Sequence, residues 1–303
     1  MDTNVRAFGE TAKSYYETRM SELGVTEENN FIQLSDPDAD FPRVATITKP
    51  IFSEDKDGNI QILYYTLDRE LITYIQKGEG KTANINAKER YYTQTRLQKP
   101  TGDKKYVLPK GQPTYPFLPI PVVTKWEQKE PIETLFITEG VFKAFIGARL
   151  GLDIVGLPSI TCYKDKETGR LHSDIERIIQ DCKVKNLVVL WDGDCLNISE
   201  SDLDFTLDLT RRPLNFINAA KAIRELAQKI EVEDPLSIYF AHINSSVIPN
   251  NPKGLDDLLI QNSDRQMEVL AELKELSDKN SHYAKFININ YCLYKRHIIK
   301  KIM

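Results

Sequence analysis

Two short runs, TLFITEG at 134–140 and NLVVLWDGD at 186–194, each end an apolar stretch abruptly in acid. Short apolar runs bounded by turn residues suit strands buried in a parallel sheet. In such sheets, ligands meet the carboxyl ends of the strands. Glu139, Asp192 and Asp194 are therefore expected together at one rim. Three carboxylates on neighbouring strand ends repel one another unless a cation lies between them. Hard oxygen ligands suit Mg2+ or Mn2+, the former typically held by one or two carboxylates, several waters and substrate phosphates. The chemistry expected is metal-dependent and acts on phosphate.

The elements that must position these acids follow a strand–helix alternation. TLFIT is a strand and VFKAFIGARL a short helix; DIVGLP is a second strand. Ser173 begins a helix with Glu176 as its capping-box partner. NLVVLW is the third strand. NFINAAKAIRELAQKI is an amphipathic helix with Phe216, Ala219, Ala220, Ile223, Ala227 and Ile230 on one face. LSIYFAHI is the fourth strand, and KGLDDLL opens another helix. Such alternation implies a parallel sheet of about four strands. Upstream, RVATITKPIF and NIQILYYTLD flank EDKDG and read as a β-hairpin, because Asp57-Gly58 is a strong turn signal. The proline-rich LPKGQPTYPFLPIPVV is expected to be extended. The organisation expected is a helical lead-in over 1–40, ended by DPDADFP at 36–42, and an α+β part with a basic segment over 41–130. An α/β domain over 131–260 and a C-terminal helix with a basic tail over 261–303 follow.

Composition supports an ordinary folded protein. The 303 residues suggest about two domains, and 41% apolar and 28% charged content can sustain a core. A net charge of −4 gives no sign of a polyanion partner, but the charge is uneven. Residues 77–110 hold nine Lys or Arg against three acids, interleaved with Tyr91, Tyr92 and Tyr106. That mixture suits single-stranded DNA or other nucleic acid, through phosphate neutralisation and base stacking, with Lys99, Lys104, Lys105, Tyr91 and Tyr92 as the candidates. A solvated loop is the plain alternative. Asp202, Asp204 and Asp208 read as a solvated acidic loop, and the five bases in the last nineteen residues as a final packed element or a nucleic-acid contact. No apolar signal core opens the chain and no run reaches membrane-spanning length, so no membrane partner is expected. The four cysteines form no CxxC pair, which fits a reducing cytoplasm; His172 and His242 lack partners at ligand spacing and read as structural.

The order strand–Glu139-Gly140–helix, strand–Asp192-Gly-Asp194, strand–Lys253-Gly-Leu-Asp256-Asp257 resembles the Toprim domain of bacterial-type primases, type IA and II topoisomerases and some nucleases, over residues 131–260. ITEGVFKA, VGLPSI, LWDGD and KGLDDLL look like the Toprim modules of primase–helicase proteins carried by phages, plasmids and integrating elements. Lys105-Tyr106-Val-Leu-Pro109 is similar to a segment found upstream in those proteins. The resemblance implies a Rossmannoid Toprim-like fold, with Glu139 as general acid or base and Asp192 and Asp194 as ligands of Mg2+. It adds Asp256 or Asp257 as a further acidic position. The function it implies is primase-like nucleotidyl transfer with nucleotides as substrates; a nuclease and a non-catalytic nucleic-acid-binding module are the alternatives. The chain departs from the pattern at Lys143, where many Toprim proteins place an acid, and in the apparent insertion 195–213. It shows no zinc-binding template module and no Walker A motif, so any helicase would be a separate partner. Lys143 reads as a phosphate contact or a solvated helix-face lysine, and Lys253, before a helix start, as a phosphate ligand.

Overall fold

The computed structural model describes residues 13–36, 46–76, 87–102, 104–195, 211–246, 248–276 and 282–286, and only the backbone of 211–214 and 217. Residues 37–42 of DPDADFP, 77–86 of the basic segment, Asp202, Asp204, Asp208 and the tail beyond Phe286 lie outside them.

The C-terminal part is a five-stranded sheet in the order β10-β9-β11-β12-β13. Its strands are β9 (Thr134–Glu139), β10 (Ile154–Leu157), β11 (Asn186–Trp191), β12 (Ser237–Ile243) and β13 (Ala284–Phe286). The first four pair in parallel, and β13 closes the β12 edge antiparallel. β9 and β11 lie inside the sheet, which explains their unbroken apolar character: Leu135, Phe136 and Ile137, and Leu187 through Trp191, are all buried. The crossovers carry helices α4 (Val141–Arg149), α5 (Ser173–Asp181) and α6 (Arg211–Ala227), and β12 leads to α7 (Leu255–Gln261) and α8 (Gln266–Lys274). All six apolar positions expected on the α6 face are buried, although the helix stops at Ala227 and Ile230 packs from beyond its end. The α5 cap differs from the expected box. His172 is the N-cap, and its Nδ1 accepts the Asp174 N–H at 3.3 Å.

Within residues 1–40 the described chain forms α1 (Tyr15–Leu23), α2 (Glu27–Asn30) and then a strand, β1 (Phe31–Ser35). A Ser14–Glu17 capping box starts α1 and Gly24 ends it in the left-handed region. The run RVATITKPIF divides in two. β2 (Thr46–Pro50) pairs antiparallel with β1, while β3 (Phe52–Glu54) forms the expected hairpin with β4 (Ile60–Leu63) across the Asp57-Gly58 turn. β5 (Thr73–Gln76) pairs with β6 (Lys88–Tyr91), and β7 (Thr93–Thr101) joins β4 to β8 (Lys104–Val107). The proline-rich stretch turns at Lys110-Gly111, where the Gln112 N–H donates to the Pro109 carbonyl, and has no helix before Pro119. α3 (Ile120–Glu127) begins there because Pro121 falls in the first helical turn, where its missing N–H costs nothing.

One apolar cluster joins the two parts. Phe52 of β3 lies edge-on to Phe145 of α4 at 4.9 Å between ring centroids, with Phe142 at 5.8 Å and Phe117 at 6.3 Å. Phe117 also exchanges two backbone hydrogen bonds with Gly156, covering the β10 edge. Asp68 accepts both Arg177 Nη groups at 2.6 and 2.7 Å and ties the N-terminal part to α5.

Phe52→Ala should lower the unfolding free energy by about 3–5 kcal/mol, the usual cost of removing a buried phenylalanine, measured by urea titration. His172 gives a pH signature. Burial holds its imidazole down to about 4 against an ordinary 6.5, with Asp165 opposing in part. Between those values the unfolded chain binds a proton that the folded chain does not, so stability falls as pH drops from 6.5 to 4. The loss should reach roughly 3 kcal/mol at most. His172→Asn keeps a capping acceptor and should flatten that part of the stability–pH curve relative to wild type.

Candidate active-site cleft

Register places the acids at one end of the sheet. Leu157 of β10 stands opposite Glu139, and Leu190 of β11 opposite Thr138, so Asp192 lies one step past the level of Glu139. Asp194 follows after Gly193, which only glycine can fill. A Cβ there would lie 1.7 Å from Ser245 Oγ and 2.8 Å from the Ile243 carbonyl. The Gly193 N–H donates to the Lys253 carbonyl at 2.7 Å, and Ser245 Oγ donates to the Pro252 carbonyl at 2.6 Å. The Asp-Gly-Asp turn is thus clamped to the segment between β12 and α7, which carries Lys253 and leads directly into Asp256 and Asp257 of the first turn of α7.

These residues line a cleft of about 1130 Å³. Glu139, Lys143, Asp192, Asp194, Lys253, Asp256 and Asp257 all face it, and so do Arg19 of α1, Arg96 of β7 and Lys104, Lys105 and Tyr106 of β8. The structure therefore gathers every acid and both phosphate-site lysines named from the sequence, along with two of the three candidate nucleic-acid lysines. Lys99 is exposed on β7 and does not line the cleft. The tyrosines divide. Tyr91 is exposed with Lys49 Nζ 4.8 Å from its ring centre. Tyr92 cannot serve as a stacking platform for bases: it is buried against Tyr64 and Tyr115, and its hydroxyl donates to the Pro113 carbonyl at 2.8 Å. Tyr91 ends β6, whereas Tyr92 forms the one-residue link to β7, where its N–H donates to the Ile72 carbonyl and its ring packs into the core. Tyr106 offers a ring to the cleft instead, with the Arg96 guanidinium 4.8 Å from its centre. Arg96 belongs to the basic run 77–110, whereas Arg19 carried no signal of its own, because only the tertiary fold brings it to the acids.

Three of the five acids pair with a cation. Lys143 Nζ pairs with Asp192 Oδ1 at 2.8 Å, Lys253 Nζ with Asp194 Oδ2 at 2.9 Å, and Arg19 Nη2 with Asp256 Oδ2 at 2.6 Å. Burial raises the pKa of Asp192 above the usual carboxylate range, with the Asp256 and Asp194 charges adding and Lys143 opposing. Burial raises Glu139 likewise, reinforced by Asp192 and Asp194 and opposed by Lys143 and Lys253. Among the described residues no three His, Cys, Asp or Glu side chains converge tightly enough to form a ready-made cage for a metal ion. The donor chemistry nonetheless fits a hard divalent cation, which needs only one or two carboxylates when substrate phosphate and water complete its shell. Asp192 and Asp194, two residues apart on one strand end and facing one cleft, supply that pair.

Among solved structures the chain is similar to the Aquifex aeolicus primase (zinc-binding and RNA polymerase domains), with a TM-score of 0.38 and 11% identity over 84% of this chain and 46% of that one. It is also similar to the primase fragment of the bacteriophage T7 primase-helicase protein, with a TM-score of 0.32 and 12% identity over 71% of this chain and 68% of that one. The chain spans just under half the length of the Aquifex structure. No protein-family model and no curated protein matches it. At these TM-scores the likenesses carry no argument, and the reading of the cleft rests on its own geometry. Among the described residues no helix is long and apolar enough to cross a membrane.

Gly193→Ala forces a Cβ into backbone and a hydrogen-bonded serine, so it should destabilise the fold by about 1–3 kcal/mol, as overpacked sites do, visible as a lowered urea midpoint.

Proposed function

We propose that the cleft performs Mg2+- or Mn2+-dependent nucleotidyl transfer on nucleic acid, in a primase-like role in the replication of a mobile element, through a Toprim-like domain. The observation that supports this reading is the meeting of two unlike surfaces in one cavity. The carboxylates at the sheet rim face Arg96, Lys104, Lys105 and Tyr106 from the β7–β8 hairpin across a single cleft. A strand held by its phosphates on the hairpin and stacked on Tyr106 would present its sugar–phosphate backbone to Asp192 and Asp194.

A divalent cation held by Asp192 and Asp194 would supply charge stabilisation at the transferred phosphorus and activation of the attacking hydroxyl. Glu139 is the residue to take or return the proton, because burial beside two carboxylates raises its pKa in the direction a relay group needs. Lys253 is half exposed and reaches the cleft from the loop before α7, so it can leave Asp194 for an incoming phosphate. The cations paired with Asp192, Asp194 and Asp256 favour a second reading, a non-catalytic nucleic-acid-binding module in which the ion pairs are permanent.

Incubating the full chain with labelled nucleotides, single-stranded DNA and Mg2+ or Mn2+ separates the readings: extension supports transfer, degradation a nuclease, and binding without turnover the non-catalytic module. Glu139→Gln should lower turnover by roughly 10²–10⁴-fold while leaving DNA affinity unchanged. Full turnover in that variant would remove Glu139 from the chemistry. Lys104→Ala with Lys105→Ala should weaken single-stranded DNA binding and flatten the plot of log affinity against log salt, by about 0.7 per lost phosphate contact. Tyr106→Ala should cost about 1–3 kcal/mol with the slope kept. Unaltered binding in both would place the nucleic acid elsewhere.

A further inference from the structure

Lys143 does something that a phosphate contact alone does not require. It is the third residue of α4, yet its side chain turns back over the end of β9 instead of running out to solvent. Its ammonium donates to the Glu139 carbonyl at 2.9 Å and pairs with Asp192 Oδ1 at 2.8 Å, and the side chain is only 15% exposed. Burial opposes the charge, but Asp192, Asp256 and Glu139 together outweigh it, so the lysine is a true cation inside the acidic rim. Room for this path comes from Gly254. A Cβ at that position would lie 2.2 Å from Lys143 Cε and 3.1 Å from Asp192 Oδ1. Gly254 has φ −122° and ψ 179°, extended backbone that any residue adopts, so glycine is needed there for space rather than for conformation.

The geometry points to Lys143 as a resident counter-cation that couples metal loading to phosphate arrival: it holds Asp192 until a nucleoside triphosphate draws its ammonium away, so that divalent metal and triphosphate enter together. This rests on the metal reading of Asp192 and Asp194. An ammonium and a divalent cation held on one carboxylate repel each other. Metal alone must therefore bind Asp192 against that repulsion or drive Lys143 off with no anion to receive it, and either is costly at so enclosed a site. A triphosphate supplies that anion. The lysine stem is flexible and its three donors rotate freely, so the transfer needs side-chain motion only. By linkage, the factor by which triphosphate raises metal affinity equals the factor by which metal raises triphosphate affinity. The device also keeps the carboxylates from retaining metal when no substrate is present.

Mn2+ binding to the full chain, followed through the spectrum of free Mn2+ at fixed pH, tests this. It is measured with and without a non-hydrolysable nucleoside triphosphate, after subtracting the Mn2+ held by the nucleotide itself. In the wild type the triphosphate should raise Mn2+ affinity by about 5–150-fold, the usual range of coupling. Lys143→Met keeps the length of the side chain and removes its charge. It should bind Mn2+ alone about tenfold or more tightly than wild type, with the coupling largely lost. Gly254→Ala leaves the charge but displaces the lysine end, and should shift both quantities the same way, which keeps the test alive if Lys143→Met does not fold. Equal Mn2+ affinity in the wild type and a folded variant overturns the inference while leaving the metal reading intact. If no protein binds Mn2+ and Asp192→Asn behaves as wild type, the metal reading itself falls and takes the inference with it.

Discussion

Five carboxylates lie at the carboxyl end of one sheet, and mutual repulsion among them is the constraint that the surrounding structure answers. Glu139, Asp192, Asp194, Asp256 and Asp257 line the same cleft. Three cations come to them from three different elements: Lys143 from α4, Lys253 from the loop before α7, and Arg19 from α1. Arg19 also lies 5.1 Å from the Phe142 ring centre, so a guanidinium brought in for its charge packs on the aromatic patch that joins the two parts. Ion pairs this enclosed add little net stability, since desolvation offsets most of the attraction. Their effect is on position and on which cations the acids admit. Removing one partner leaves a half-buried charge, so the pairs are more demanding to lose than they were useful to gain.

Aromatic packing answers a second requirement. The cleft exists only while the β7–β8 hairpin stands opposite the sheet rim, and that relation is set behind the cleft by Phe52 against Phe142 and Phe145. Phe142 both belongs to this apolar seam and lines the cavity, and Tyr106 packs on it at 6.3 Å between ring centroids. A shift in the seam therefore reaches the cleft wall within one residue.

Much of the α/β part was legible because period and burial coincide there. β9 and β11 are mostly apolar since both faces are covered, with Thr138 a buried polar residue within them, and the acids come where the strands end. What escaped the sequence depends on distant partners. RVATITKPIF is uniform in character, and only the presence of β1 on one side and β4 on the other divides it at Ile51. Tyr91 and Tyr92 are the same residue type in the same basic run, and only the packing of the β6–β7 link against Tyr64 and Tyr115 takes one into the core and leaves the other outside. The basic run itself suggested a loop or a nucleic-acid segment, whereas much of it is strand, because its threonines and long basic side chains suit an exposed strand face as well as they suit a solvated loop. β13 is three residues long and has no sheet signal apart from the β12 edge it covers. His172 replaced the expected serine as a helix cap because an imidazole nitrogen reaches the same N–H that a hydroxyl would.

The Arg19–Asp256 pair joins residues 237 apart in the chain. A ribosome releases α1 early and α7 late, so α1 must wait, or dock loosely on partners already made, until most of the protein has emerged. Arg19 then gains its acidic partner only once α7 has been made, and a chain stopped before α7 would carry the arginine without Asp256. The pair in this way links the first helix of the described chain to the seventh by charge, and it forms only in a product that extends through α7.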